Sequence, residues 1–161
     1  MLTTRELYDN IVLLNKCNDD VGKIEDFIID FYKARVKGII IKDYNNKYRY
    51  ISISDITDDN ENNVEACNMD SIEGMRFSDI LNMQVVDKKG IKIGIIEEAI
   101  LDDRYNIKAI VVDNEDMGKE IMLFKDLVLG DNFIMLYSDR SRLTVIEERK
   151  KIINGNLKTA Y

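Results

Sequence analysis

The chain contains no histidine, no tryptophan and no proline among its 161 residues. Histidine is the commonest general base and the commonest metal ligand, so Ser–His–Asp and Cys–His arrangements are impossible within one chain. No Gly-x-x-x-x-Gly-Lys, Gly-x-Gly-x-x-Gly or Gly-x-Ser-x-Gly motif occurs either. We therefore expect no enzyme, no catalytic residue and no cofactor.

Cysteine is also scarce. Cys17 and Cys67 stand far apart, outside any Cys-x-x-Cys pair, and are interpreted as reduced, small apolar residues. No apolar run approaches the ~20 residues of a membrane span. The N-terminus lacks the basic and apolar segments of a secretory signal, which predicts a cytoplasmic location.

Basic residues are outnumbered, 23 against 30 acidic ones, for a formal net charge of −7. They are scattered among acids rather than clustered, which disfavours direct nucleic-acid binding, since phosphate contacts supply most of that affinity. The abundance of Ile, Asn, Lys and Asp is typical of a bacterial protein from an AT-rich genome.

What the chain does contain is an internal repeat. VGKIEDFIID (Val21–Asp30) returns as IGIIEEAILD (Ile93–Asp102), which places Gly22 on Gly94 at a spacing of 72 (94 − 22). Further matches follow in the same order at spacings of 71 to 72, which indicates a tandem duplication.

Each copy consists of short segments rich in Ile and Val, separated by polar turns, as is typical of strands. Asn45–Asn46 and the run 114–118 should form equivalent hairpin turns. The strands predicted for the first copy are Ile11–Leu14, Lys23–Asp30, Val36–Asp43, Tyr48–Ser52 and Asn63–Cys67. Those predicted for the second are Gln84–Val86, Ile93–Asp102, Lys108–Asp113, Glu120–Phe124 and Phe133–Tyr137.

These patterns predict an all-β fold of two small barrels that pack on each other, because ~70 residues form only a marginal core. The predicted domains are 1–70, 76–138 and a tail, 139–161, with a join in Asn68–Phe77. Thr3 and Glu6 have capping-box spacing, which predicts a short helical turn over Thr3–Tyr8. The tail should become helical from Ile146, although its β-branched start could instead extend the last strand.

The second copy resembles the PRC-barrel domain, named for the H subunit of the photosynthetic reaction centre. The resemblance rests on the turn Asp87–Gly90, the strand start Ile93–Gly94, and the later run Leu123–Leu127. The first copy is a more distant match that lacks the turn glycine. The resemblance implies a small β-barrel that serves as a docking module more often than as a catalyst. Relatives include the C-terminal domain of a bacterial ribosome maturation factor.

The repeated strand carries the conspicuous glycines and acids. Gly22 and Gly94 should lie where a strand bends or another backbone comes close. By simple alternation, Ile24, Asp26 and Ile28 should share one face of the strand. The acids Asp26, Asp30, Glu98 and Asp102 could pair around a divalent cation, but no ligand spacing supports this. We expect them to cap turns and accept backbone N–H groups, with no metal.

A second candidate site is the hairpin that carries Tyr44, Tyr48, Arg49 and Tyr50, which has no aromatic counterpart in the second copy. Tyr and Arg are enriched in binding hot spots, so this hairpin is a candidate partner surface. The alternative is that the rings simply cover the strand face.

The sequence favours a non-enzymatic adaptor that binds another protein or a second copy of itself. One alternative, based on the family alone, is an accessory factor in RNA processing or ribosome maturation that acts through a ribosomal protein. Another is a sensor of a small ligand or metal in the cleft between the barrels. The sequence leaves open whether the tail docks on its own domain or on a partner.

Overall fold

The computed structural model describes residues 1–8, 11–14, 20–54, 65–66, 72–81, 83–138 and 143–144. Both cysteines and the tail from Ile146 lie outside the described residues, and with them the predictions of reduced thiols and a C-terminal helix. Within the described residues, no helix has the length and apolar character that a bilayer span requires.

The first half of the chain is built from an N-terminal arm followed by a sheet. The arm consists of strand β1 (Leu2–Thr3) and helix α1 (Thr4–Tyr8). The strands that follow are β2 (Ile11–Leu14), β3 (Asp20–Asp30), β4 (Arg35–Asp43), β5 (Tyr48–Ser52) and β6 (Glu65–Ala66).

The second half begins with a similar arm, β7 (Met75–Arg76) and helix α2 (Phe77–Leu81). The next strands are β8 (Gln84–Val86), β9 (Lys92–Leu101), β10 (Ile107–Asn114) and β11 (Gly118–Leu123). A 3-10 turn, Phe124–Asp126, leads to β12 (Leu127–Leu129), β13 (Phe133–Leu136) and β14 (Leu143–Thr144).

The strands form two sheets of similar topology. One follows the order β2-β3-β4-β5-β6, and the other β12-β13-β8-β9-β10-β11-β14. The all-β prediction is therefore confirmed. The second sheet is extended beyond β8 by β13, which runs parallel to it, and by β12.

The long central strands of the two sheets are bulged at matching places. The β3–β4 register shifts between Ile24 and Asp26, and the β9–β10 register shifts between Ile96 and Glu98. A second shift follows after Ile28 and after Ile100, and there the extra residues, Lys37 and Lys108, lie on the neighbouring strands β4 and β10. Each bulge inserts a residue without a direct partner and bends the strand.

The bulge at Glu25 overturns the prediction that Ile24 and Asp26 share a face. Their partners on β4 are the adjacent residues Ile41 and Ile40, so the two side chains point to opposite sides. Ile24 joins Phe27 on the core side. Simple alternation fails here because one extra residue reverses the facing of every residue after it.

The two halves exchange their leading elements. β1 pairs with β9 of the second sheet, whereas β7 pairs with β3 of the first. Between them, the turns that follow β3 and β9 meet in a reciprocal pair of hydrogen bonds. Val36 N–H donates to Tyr105 O at 2.9 Å, and Ile107 N–H donates to Ala34 O at 2.7 Å. These reciprocal contacts give the two halves of the chain an approximate two-fold symmetry.

One continuous hydrophobic core joins the halves. Leu7 of α1 and Ile80 of α2 are buried in it, together with inward residues of both sheets. Phe31 of the first half contacts Phe124 of the second, with ring centroids 4.7 Å apart. The helices lie between the sheets because each presents one apolar face to this shared core.

Most predicted strands are confirmed to within about two residues, and so is the short helix at Thr4–Tyr8, whose capping box is formed by Thr3 and Glu6. The last strands predicted for the two copies pair differently, because β6 pairs with β5 whereas β13 pairs with β8 and β12. Leu143–Thr144 form a separate strand, β14, against β11, and so do not extend the last predicted strand, which ends at Leu136.

Candidate interaction surfaces

The β4–β5 hairpin is held by the buried carboxylate of Asp43. It accepts hydrogen bonds from Asn45 N–H and Lys47 N–H, both at 2.9 Å, and from Arg49 Nε at 3.0 Å. The hydrogen bond from Lys47 lowers the pKa of Asp43, which burial would otherwise raise, and Arg49 lowers it further. Asn46 has a φ of 60°, as its predicted turn position requires. Arg49 thus has a structural partner within its own hairpin.

The three tyrosines of this hairpin differ in their surroundings. Tyr44 is 77% exposed. Tyr48 lies beneath Lys42, whose Nζ is 5.6 Å from the ring centroid. Tyr50 covers Gly38, where an added Cβ would meet the ring at 2.3 Å. Tyr44 is thus the most exposed of the four predicted residues, whereas Tyr48, Arg49 and Tyr50 are half-buried, and their role as a partner surface stays a prediction.

Tyr44 borders a small polar cleft of about 250 Å³. Its lining combines both signs of charge: Gly22, Lys23, Glu25, Lys42, Asp43, Tyr44 and Asn46. The carboxylate of Asp43 already accepts the hairpin's hydrogen bonds. That carboxylate is therefore engaged within its own hairpin.

Gly22 and Gly94 occupy equivalent positions on β3 and β9. A Cβ at Gly94 would lie 2.2 Å from the carbonyl oxygen of Asp113, which no real Cβ tolerates. At Gly22 the corresponding distance, to the Lys42 carbonyl oxygen, is 3.0 Å. Both glycines permit a close approach of the neighbouring strand, and the approach is closer in the second half.

Asp26 links three elements of the shared core. Its carboxylate accepts hydrogen bonds from Phe27 N–H at 2.8 Å, and from Ser78 N–H at 3.2 Å and Ser78 O–H at 2.5 Å. The hydroxyl of Tyr8 in α1 donates to it at 3.3 Å. Burial and the neighbouring Asp26 charge raise the pKa of Tyr8, which therefore stays a neutral donor. Asp26 thus fastens both arms to β3.

The other three acids of the motif lie apart from Asp26. Glu98 is buried on β9. Asp30 and Asp102 each cap the turn that follows their strand, Asp30 through Lys33 N–H and Asp102 through Arg104 N–H and Asn106 N–H. Burial opposes the charge on Asp102, but hydrogen bonds from Asn106 and Lys108 hold its pKa well below the usual range. Among the described residues, no group of three His, Cys, Asp or Glu could hold a metal ion.

Glu97, the bulged residue of β9, forms ion pairs with two basic side chains. This role was not predicted from the sequence. Arg5 of α1 and Lys119 of β11 both contact its carboxylate. Burial disfavours the charged form, but Lys119 and Arg5 together lower the pKa of Glu97. The bulge turns this side chain away from the core side, so only the register reveals its role.

The outer face of the second sheet carries an apolar patch that was not predicted from the sequence. Phe133 lies opposite Gln84 on the neighbouring strand, and Gln84 in turn lies opposite Ile95. Met135 lies between Val128 on one neighbouring strand and Val86 on the other. We call Val86, Ile95, Val128, Phe133 and Met135 the outer patch. Ile95, Val128 and Phe133 are 41%, 46% and 44% exposed.

A cleft of about 480 Å³ lies over the centre of the outer patch. Its floor is formed by strands β8 and β13, and its rim by the turns at either end. The lining residues are Gln84, Val86, Asp87, Lys88, Lys89, Gly90, Asn132, Phe133 and Met135. At the position equivalent to Ile95, the first sheet has Lys23, so the repeat does not reproduce this surface there.

Comparison with known proteins identifies the second half. Residues 72–152, half of the chain, match the PRC-barrel domain. No curated protein matches the chain. The matched range contains β7 to β14, and with them the outer patch and its cleft. The chain belongs to the PRC-barrel family.

Proposed function

We propose that the protein is a non-enzymatic binding module that docks another protein on the outer patch of its PRC-barrel half. The observation that carries the proposal is a contiguous apolar surface on the outer face of a sheet whose inner face is already filled. Val85, Ile134 and Leu136 supply the inner side chains and are fully buried. Apolar side chains on the solvent face of a sheet therefore contribute nothing to the core and mark an interaction surface.

The family supports the same reading, because a PRC-barrel domain suggests a non-catalytic module. The chain also lacks histidine, and its described residues hold no metal-binding cluster. Asp26, Asp30 and Asp102 accept hydrogen bonds in turns and in the junction between the halves, where they stabilise the structure.

The first half is proposed to be a diverged copy of the same module. Three features support this: the shared strand order, the matching bulges of β3 and β9, and the equivalent arms that cross to the opposite sheet. Divergence at the surface, such as Lys23 in place of Ile95, leaves the second half as the binding half.

The test is quantitative affinity purification from cells that produce the tagged chain. Phe133→Gln combined with Val128→Thr should remove specific proteins that wild type retains, because both side chains are about half exposed and their loss spares the core. The control variant is Tyr32→Gln, which removes an aromatic side chain that is 85% exposed from the first half. Identical recoveries for wild type and the double variant, with unchanged melting temperatures, would exclude the outer patch as the docking surface.

A further inference from the structure

Resting on the proposed function, we infer that the cleft over β8 and β13 binds an extended segment of a partner protein in which acidic and apolar residues alternate. The inference concerns the chemistry of the partner, and it follows from the spacing of the floor, the charge of the rim and the exclusion of other occupants.

The floor of the cleft has the spacing of an extended chain. Phe133 lies beside Gln84, and Met135 lies beside Val86, which gives two rows that are two residues apart along parallel strands. Such rows are about 7 Å apart. Side chains i and i+2 of an extended peptide repeat at the same distance, whereas those on one face of a helix are ~5–6 Å apart. The floor therefore fits alternate side chains of an extended segment.

The rim of the cleft is basic. Lys88 and Lys89 lie in the β8–β9 turn, and neither forms an ion pair with another described residue. The one carboxylate in the lining, Asp87, faces its own turn, where its Oδ1 accepts hydrogen bonds from Lys89 N–H and Ile91 N–H at 2.8 Å. Lys88 lies over the exposed ring of Tyr137, with Nζ 6.0 Å from its centroid.

This basic rim belongs to a chain with a net charge of −7. Complementary charge steers encounters and suppresses wrong partners, so two lysines beside an apolar floor select a segment that carries carboxylates between its apolar residues. The long lysine side chains can reach such carboxylates while their methylene groups extend the apolar floor of the cleft.

Two other occupants fit less well. A symmetric pair of chains joined through the cleft would bring two copies of the Lys88–Lys89 rim into one interface, where like charges repel. The chain's own tail carries the run Glu147–Lys151, in which three basic residues outweigh two acids. Neither supplies the net negative charge that the rim favours.

The experiment selects binders from a displayed library of random seven-residue peptides on the full chain. Enriched peptides should alternate Asp or Glu with Ile, Val, Leu or Phe. Their affinity should fall at least tenfold in Phe133→Gln and also in the charge reversal Lys88→Glu with Lys89→Glu. The reversed variant should instead prefer peptides in which Lys replaces the acids, while the control Tyr32→Gln should bind like wild type.

The outcomes separate this inference from the proposed function. If cellular partners are lost in Phe133→Gln but retained by the lysine reversal, the docking surface stands and an acidic partner is excluded. If selected peptides are insensitive to Phe133→Gln, the cleft is not a peptide site. A wild-type dimer that Phe133→Gln converts to a monomer, by light scattering, would assign the cleft to a second copy and overturn the inference.

Discussion

Gly94 shows how closely the backbones of the second half approach each other. An added Cβ at this position would lie 2.2 Å from the Asp113 carbonyl oxygen, against 3.0 Å from the Lys42 carbonyl oxygen at the equivalent Gly22. Neither neighbour is a flexible side chain that could move aside. Relief requires a shift of the strand itself, and the shift needed is larger in the second half.

Gly94→Ala should therefore destabilise the protein by about 3 kcal/mol, and Gly22→Ala by no more than about 1 kcal/mol, because overpacking costs rise with the overlap to be relieved. Urea denaturation at equilibrium measures both values. Equal losses of unfolding free energy for the two variants would mean that both strand pairs can shift apart at the same cost.

Asp26 illustrates a carboxylate whose role is positional. It receives hydrogen bonds from backbone and side-chain donors of β3, α1 and α2, and it is 3% exposed. The chemistry suggested by its place beside other acids is not realised, because those acids lie in turns or on the other sheet.

Asp26→Ala should cost about 2–4 kcal/mol of folding free energy, since it leaves buried donors without an acceptor. Glu25→Ala, at the exposed neighbouring position, is the control and should change stability by less than ~0.5 kcal/mol. Chemical denaturation of both variants provides the comparison. A loss at Asp26 as small as that at Glu25 would show that water replaces its partners.

Asp102 should make stability depend on pH. Its pKa is lowered on folding, whereas an unfolded aspartate titrates near ~3.9. The charged form therefore contributes stability that is fully present at pH 7. This stability is lost progressively as the pH falls from about the unfolded pKa towards the lower folded pKa. Asp102→Asn keeps an acceptor for the turn but removes the charge. The stability gap between wild type and this variant should narrow from pH 7 to about pH 3 in urea titrations. A gap that is constant with pH would contradict the assignment.

At the scale of elements, the N-terminal arm is joined to the second sheet by a side chain as well as by strand pairing. Thr4 is buried, and its Oγ1 accepts a hydrogen bond from Ala99 N–H at 3.0 Å. The arm is therefore part of the PRC-barrel half in space, although it belongs to the first half in sequence.

Thr4→Val preserves the shape of the side chain but removes the acceptor, so it should cost about 1–2 kcal/mol and speed hydrogen exchange at the Ala99 amide. Thr3→Val is the matched control, because it affects the helix cap but not Ala99. Unchanged exchange at Ala99 in Thr4→Val would show that this bond does not hold the arm.

The strands were predictable because runs such as Ile39–Ile41 and Ile110–Val112 have the β-branched composition of buried sheet, and polar turns separate them. The bulges were not, because a register shift leaves no mark in an alternating pattern. For the same reason Phe133 and Val128 could not be told from core residues, since periodicity does not say which face is inside. β12 was not predicted; it begins at Leu127, the last residue of the run Leu123–Leu127.

The candidate functional residues were likewise predictable where the local sequence determines them and unpredictable where strand pairing does. Gly22 and Gly94 were found because a repeated glycine signals a close backbone approach. Tyr48, Arg49 and Tyr50 were grouped by their position in the sequence, but each has its own neighbour in the sheet. The outer patch assembles residues from four strands, and only strand pairing brings them together.

At the scale of the whole molecule, each half contains a piece of the other's sheet. If the chain is divided between residues 71 and 72, the first fragment keeps β1 without β9, and the second keeps β7 without β3. Each fragment also loses part of the common core. Neither half is therefore complete by itself.

The two fragments, 1–71 and 72–161, should consequently bind each other when produced together and restore the circular dichroism of the intact chain. Separately, each should unfold at lower urea concentration than the intact protein, because small modules with incomplete sheets are marginal. Size-exclusion chromatography of the mixture tests the association. Two stable fragments that elute independently would mean that the exchange of arms is dispensable.

The pairing of Leu2 with Leu101 also constrains synthesis. The two residues are 99 positions apart (101 − 2), so the first strand has no partner until β9 has emerged from the ribosome. Contacts between distant positions form late, and an edge that waits exposed is prone to wrong pairing. The first residues of the growing chain must therefore remain unpaired while the first sheet assembles. Codon changes that slow translation before β9 should lengthen the time during which β1 is unpaired and can pair wrongly.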